Sequence, residues 1–417
     1  MLKSKTVIRT YITLALFNTL AASLIWGINT LFLLDAGLTI VEAFAANAFF
    51  TAGMVLFEIP TGVLADTRGR RFSYLIGTLV LAVTTLLYLV LDVIHAPFLY
   101  WAIVSLFLGL GFTFFSGATD AWLVDALKAT KYKGQLDAVF GKAQVAGGVA
   151  MLVGSVAGGL IAQFSNLAVP YAVRVALLLV TFVVAFIYMR DIGFTPVKKS
   201  TYLKQVSGIL SASIKYGFGK PAVRWVILAA PFISGVSVYI FYALQPYLLE
   251  LYGDSKAYWI AGLAAAVVAG SQIVGGLLVP RLRGLFKRRS AWLLLGTSIS
   301  AVLLISIVIV PNFFFAIFIV VLWGLIGASV MPVRQAYLND LIPSQQRATV
   351  LSFDSLLGSS GGVVSQPLLG KAADVYSYGH SFMIAGIVQL GALPFLFLAN
   401  RLKDPADTKT ATTEKTG

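Results

Sequence analysis

Long apolar runs separated by short polar breaks dominate the chain. A membrane-spanning helix needs about 20 mainly apolar residues. Runs of that length occur near 11–33, 43–65, 73–94, 98–124, 143–164 and 168–189, and again near 223–249, 258–280, 290–310, 313–338, 350–370 and 379–399. The runs are continuous, whereas the strands of a membrane barrel are about 10 residues long and alternate in polarity. The pattern predicts an all-α membrane protein with 12 transmembrane helices in two six-helix bundles, at 1–190 and 223–400. Between them, 191–222 reads as a cytoplasmic linker. Within it Leu203, Val206, Leu210 and Ile214 recur at helical spacing, which suits an interfacial helix. The polar, threonine-rich residues 401–417 read as a disordered tail.

Basic residues set the orientation. With the N-terminus in the cytoplasm, all 31 lysines and arginines lie on the inner side except Arg174, Lys256 and Lys371. Both termini are therefore expected to be cytoplasmic. Lys3, Lys5 and Arg9 precede a run too long for a cleaved signal, so that run reads as the first span. Composition agrees: 59% of the 417 residues are hydrophobic and 12% charged, with a mean hydropathy of +0.88. Soluble domains carry about 25% charged residues, and a soluble enzyme or a disordered chain is excluded. The net charge of +14 is accounted for by topology and needs no nucleic-acid partner. Cysteine is absent and there are two histidines, His95 and His380, so no metal site and no cofactor are expected.

The halves repeat. Gly62-Val63-Leu64-Ala65-Asp66 ends the second span and leads to Gly69-Arg70-Arg71, as Gly276 to Pro280 ends the eighth and leads to Gly284 and Lys287-Arg288-Arg289. Asp125 at the inner end of the fourth span matches Asp340 at that of the tenth. The offsets, 214 from 62 to 276 and 215 from 125 to 340, keep one register. The two bundles are thus pseudo-symmetric parallel repeats. The loop after the second span resembles the signature of the major facilitator superfamily, G-x-L-a-D-r-x-G-r-k-x-x-l. Gly62, Leu64, Asp66, Gly69, Arg70, Arg71 and Leu75 match, with Arg71 for the usual lysine and Thr67 for the first basic residue. The motif pattern is nearest to bacterial 12-span drug and metabolite exporters.

That resemblance implies a conformational latch at the inner face. Gly62 would admit a close helix, Asp66 would bind the start of the eleventh span around Thr349–Asp354, and Arg70 would pair with Asp125. Two departures bear on the exporter pattern. In the fifth span, Gly154-Ser155-Val156-Ala157-Gly158-Gly159 keeps the glycine spacing of drug antiporters but has serine for the kinking proline; an antiporter role and simple packing both remain open. In the fourth span, Ser105 stands four residues before Gly109, the first glycine of a G-x-G that ends at Gly111, where many proton-coupled members carry arginine.

Charges within spans are costly and point to function. Glu58, Asp120 and Arg334 are the candidates for proton coupling. Burial would raise the carboxyls so that they load protons near neutrality, and Asp120 and Arg334 would pair across the cavity in one state. Asp35 and Arg174, near outer span ends, read as snorkelling to water. In the resembled fold, spans one, four, seven and ten line the cavity. They offer Asn18, Trp26, Asn29, Phe112, Phe115, Tyr239, Tyr242, Gln245 and Trp323, an aromatic wall suited to an amphipathic or lipophilic substrate.

No phosphate-loop motif, zinc-protease motif or evident Ser/His/Asp set occurs, so an enzyme is not expected. The sequence therefore reads as a monomeric, multi-pass secondary transporter of the inner (plasma) membrane, exporting lipophilic small molecules against protons, with lipid as its surroundings. A nutrient or metabolite uniporter or importer is the alternative in the same fold. A lipid flippase or membrane-bound enzyme is the alternative in another class.

Overall fold

A computed structural model describes residues 4–196, 202–342 and 347–408. Helices in the first half are α1 (Ser4–Trp26), α2 (Asn29–Asp35), α3 (Ile40–Arg68), α4 (Arg70–Val93), α5 (Phe98–Thr113), α6 (Ala118–Ala129), α7 (Leu136–Phe164) and α8 (Ala168–Tyr188). There follow α9 (Tyr202–Gly219), α10 (Pro221–Tyr252), α11 (Trp259–Leu285), α12 (Arg289–Ser306), α13 (Phe313–Leu341), α14 (Arg347–Val375), α15 (Tyr378–Leu390), α16 (Leu393–Arg401) and a 3-10 turn at Pro405–Asp407.

Among the described residues, ten helical segments are long and apolar enough to cross a membrane. The predicted eighth and eleventh spans form as helices, α11 and α14, but fall outside that set. Of α11, Trp259–Gly275 is an apolar stretch among the described residues, and α14 is rich in glycine, serine and charge. Residues 202–219 of the predicted linker are helical, with Ile214 exposed; the side chains of Leu203, Val206 and Leu210 lie outside the described residues, as do those of 278–285.

Local chemistry starts and stops these helices. Thr39 and Glu42 form a reciprocal capping box on α3, and the Asn312 side chain accepts from Phe314 N and Phe315 N at the start of α13. Gly69, at φ +112°, separates α3 from α4. A Cβ there would strike the Asp191 carboxylate, so the turn and the space both demand glycine.

The chain divides into two units: Met1–Ser207 with Phe241–Ala266, and Gly208–Ile240 with Val267–Gly417. The first therefore takes in the end of α10 and the start of α11, whereas the hydropathy break lies earlier, at 191–222. Close packing accounts for the difference. The Trp26 and Phe241 rings meet edge to face, with centroids 6.5 Å apart. A Cβ on Gly27 would lie 3.0 Å from Ala261 O, and one on Gly159 would lie 2.9 Å from Gly262 N. Added Cβ atoms at Gly154 and Gly158 would run into Ser23 and Leu24 of α1. The fifth-span glycines thus serve helix contact.

The second unit closes on residues read from sequence as a disordered tail. Residues 401–408 are folded: Asp407 is wholly buried and accepts from Ser290 N at 2.7 Å and Ser290 Oγ at 2.5 Å, capping α12. Asp404 pairs with Lys220 at 3.2 Å. A composition average dominated by threonine hides these two aspartates, while residues 409–417 lie outside the described residues. Asp407→Ala is expected to cost about 1–3 kcal/mol, because it orphans the buried Ser290 amide, while the Ser290 hydroxyl keeps Asn400 Oδ1 at 2.9 Å; thermal unfolding of the purified protein checks this.

Candidate functional site

At the signature between α3 and α4, Asp66 and Arg70 sit one turn apart across Gly69 and pair at 2.6 Å. The Arg70 guanidinium lies 5.8 Å from the centroid of the Phe194 ring. Among the described residues Asp125 forms no ion pair, so the Arg70–Asp125 contact expected from the resemblance is absent here. Asp66 is the nearer partner, one helical turn away. The counterpart pair does form in the second unit, where Arg289 meets Asp340 at 2.6 Å.

Arg71 turns elsewhere. Its amide donates to Asp191 at 2.9 Å and its Nη2 donates to Phe186 O at 2.6 Å. Burial raises the Asp191 carboxyl above its ordinary value, offset in part by the Arg71 amide and the nearby guanidiniums. Sequence reading missed Asp191. No atom lies within 4 Å of a Cβ built on Gly62, so no close helix requires glycine there. Asp66 is about half exposed, and exposed pairs are worth about 0–1 kcal/mol. Asp66→Asn is thus expected to leave thermal unfolding nearly unchanged.

The charges expected inside the spans find separate partners. Glu58 accepts from Ser116 Oγ, which joins α3 to the break between α5 and α6. Asp120 accepts from Tyr11 OH at 2.6 Å and is exposed rather than buried, because Gly117 at φ +65° restarts the helix just before it. Arg334 is buried and meets Asp354 through two nitrogens, at 2.5 and 2.7 Å, and Val226 O at 3.2 Å. Asp354, expected in the latch, is instead the counter-ion of Arg334. Asp120 and Arg334 therefore each have a partner in their own unit, in place of the expected pair.

The nine cavity candidates disperse. Trp26, Asn29, Phe112 and Tyr242 line one pocket in the first unit, together with Tyr88 and Arg174. Trp323 lines a cavity of about 570 Å³ in the second, with Ser237, Thr297, Ser300, Arg334 and Gln389. Tyr239 is fully buried, its hydroxyl 2.5 Å from Ser381 Oγ, and Phe115 packs edge to face on Tyr74 in the core. Both are packing residues. Gln245 is buried and donates to Phe241 O at 2.8 Å, and Asn18 is half-buried.

The largest departure is Arg174. It does not snorkel; it is 1% exposed and lies 5.8 Å from the centroid of the Phe112 ring. Tyr171, Arg174, Leu178, Thr181 and Ala185 form the buried stripe of α8, and that 3–4 spacing was the available signal. Ser105, where the span-four arginine is missing, bonds Tyr88 at 2.6 Å, and Tyr88 borders the same pocket as Arg174.

This all-helical scaffold, with its polar pockets inside apolar helices, matches a known family along its length. The sequence model of the Major Facilitator Superfamily matches residues 11–294 and 284–416. The chain belongs to that superfamily. An uncharacterized MFS-type transporter of Methanocaldococcus jannaschii is 24% identical over 175 residues, covering 42% of this chain. The chain spans 43% of that relative's length.

Solved superfamily-like structures share the fold at low identity. The nucleoside transporter NupG has a TM-score of 0.75 at 10% identity, covering 94% of this chain and 98% of its own. A bacterial homolog of the human lysosomal transporter Spinster has 0.74 at 16%, covering 98% and 99%. A POT family transporter in complex with a thioalcohol-conjugated peptide has 0.74 at 13%, covering 95% and 96%. The superfamily member described here is a multi-pass membrane protein of transporter fold.

Proposed function

We propose that this protein is a secondary transporter working by alternating access, with twelve spans and both termini in the cytoplasm of a cell whose inner membrane it occupies. In this reading it exports amphipathic small molecules in exchange for protons. The observation that carries proton coupling is the setting of Glu58. Among the described residues its carboxylate meets the Ser116 hydroxyl, and a hydroxyl can donate to a carboxylate or accept from a carboxylic acid. Glu58 can therefore gain and lose a proton without breaking an ion pair. Arg334 and Asp354 are locked to each other and are assigned a structural role. The Asp66 turn remains the proposed latch, together with Gly62, Gly69, Arg70, Arg71 and Asp125.

The test uses liposomes containing the purified protein and a trapped pH-sensitive dye, presented with a panel of amphipathic aromatic compounds. A transported compound is expected to move protons in the opposite direction. Glu58→Gln is expected to abolish that proton movement, while compound exchange between equally loaded compartments persists. Transport unchanged by collapse of the pH gradient would favour a uniporter and defeat the coupling.

A further inference from the structure

We infer that Arg174 and the ring cage around it form a site for one negatively charged group, the acid head of an organic anion with an apolar, ring-bearing body. This deepens the transporter reading and rests on it for the ligand's being cargo. Among the described residues, Arg174 Nε and Nη2 are buried without a hydrogen-bond partner. Desolvating a guanidinium without a counter-ion costs several kcal/mol, so the fold retains here a cation met by the Phe112 ring and not by a counter-ion. The contrast within the same chain is direct: the other deeply buried arginine named above, Arg334, holds a carboxylate through two nitrogens.

Among the described residues no carboxylate lines the pocket that Arg174 shares with Tyr88 and Tyr242, and the Tyr171 ring stacks on Tyr88 with centroids 6.1 Å apart. Two of these phenols are already engaged, Tyr171 OH donating to Asn29 Oδ1 at 2.8 Å and Tyr88 OH bonding Ser105 Oγ at 2.6 Å. Asn29 Nδ2 in turn donates to Asn47 Oδ1 at 2.8 Å. The cage is thus a set network that leaves the cation over.

Size and lining define the occupant. The space beside the guanidinium is about 20 Å³, near the 10–15 Å³ that one water needs. It admits a monatomic ion or the oxygen end of an acid group, and excludes a whole organic molecule. Trp26, Phe50, Phe112 and Tyr242 border that space alongside Asn29 and Asn47, so a body attached to the acid meets aromatic rings where it leaves the space that holds the head. A small free anion presents the same charge without the body, and the test separates the two sources.

Purified full-length protein in detergent is titrated at one pH with 4-phenylbutyrate, 4-phenylbutan-1-ol, formate and chloride, and binding is followed by calorimetry and thermal unfolding. The acid is expected to bind at least about tenfold more tightly than the corresponding alcohol, as charge-assisted hydrogen bonds require. Formate and chloride are expected to compete with it. Phenylbutyrate binding tighter than formate identifies an organic acid head; equal affinities identify a free small anion, which upholds the charged site and overturns the organic body. Arg174→Gln is expected to abolish the preference for acid over alcohol, and Arg174→Lys to keep part of it.

Equal binding of acid and alcohol to the unmodified protein overturns the site, as does the absence of any anion response. Neither outcome depends on a variant that folds. An acid preference undiminished in Arg174→Gln overturns it as well. No gradient enters these measurements. Their failure leaves proton-linked transport to stand or fall on the liposome assay, and failure of that assay leaves the anion site intact.

Discussion

Asp354→Asn is expected to destabilise the second unit by about 3–5 kcal/mol, the cost of leaving one member of a buried ion pair alone. The side chains of Arg334 and Asp354 are 8% and 12% exposed, so the charge left behind is largely shielded from water. Arg334 also donates to Val226 O, and the pair thus ties α13 and α14 to α10. Replacing both members together, as Arg334→Met with Asp354→Leu, is expected to recover most of the loss, since apolar groups of similar volume carry no desolvation penalty. Denaturant unfolding of the purified variants checks both expectations. A shift below about 1 kcal/mol for Asp354→Asn would place the pair in the weak, water-exposed class.

Gly109→Val is expected to cost about 3 kcal/mol or more, the upper range for overpacking. A Cβ at Gly109 on α5 would lie 2.9 Å from Met54 N and 3.1 Å from Gly53 C, and would also strike Phe50 O. These are backbone atoms of α3, which cannot rotate aside. The contact is reciprocal, for a Cβ on Gly53 would strike Leu106 O. The control is Gly62→Ala on the same α3, where no atom lies within 4 Å. There the lower backbone entropy of alanine is expected to stabilise the helix by about 0.5–1 kcal/mol. Opposite signs at two glycines of neighbouring motifs, read by thermal unfolding and monodisperse yield, would verify the packing.

Helices were legible in the sequence because lipid imposes one rule on every spanning residue: the run must be apolar and about 20 residues long. That rule is silent on rotation about the helix axis. Arg174 shows the consequence, since its depth near a span end suggested snorkelling while its face, shared with Tyr171 and Leu178, buries it. Pairing was the other gap. Arg334 and Asp354 were both singled out, but their contact joins two different helices and has no local periodicity to announce it. Asp120 erred in the opposite direction: hydropathy placed it inside a continuous span, whereas a left-handed Gly117 divides that span and exposes it. Asp191 and Asp407 lie just past the apolar runs, where a hydropathy profile carries no information, yet each accepts from the first turn of a helix far back in the chain.

Those two aspartates also give synthesis an order. The amide of Arg71 waits for residue 191 and that of Ser290 for residue 407, so each bundle gains its closing contact only after its last helix has been inserted. Until the residues around Asp407 have been made, the Ser290 amide at the start of α12 lacks the acceptor that secures it.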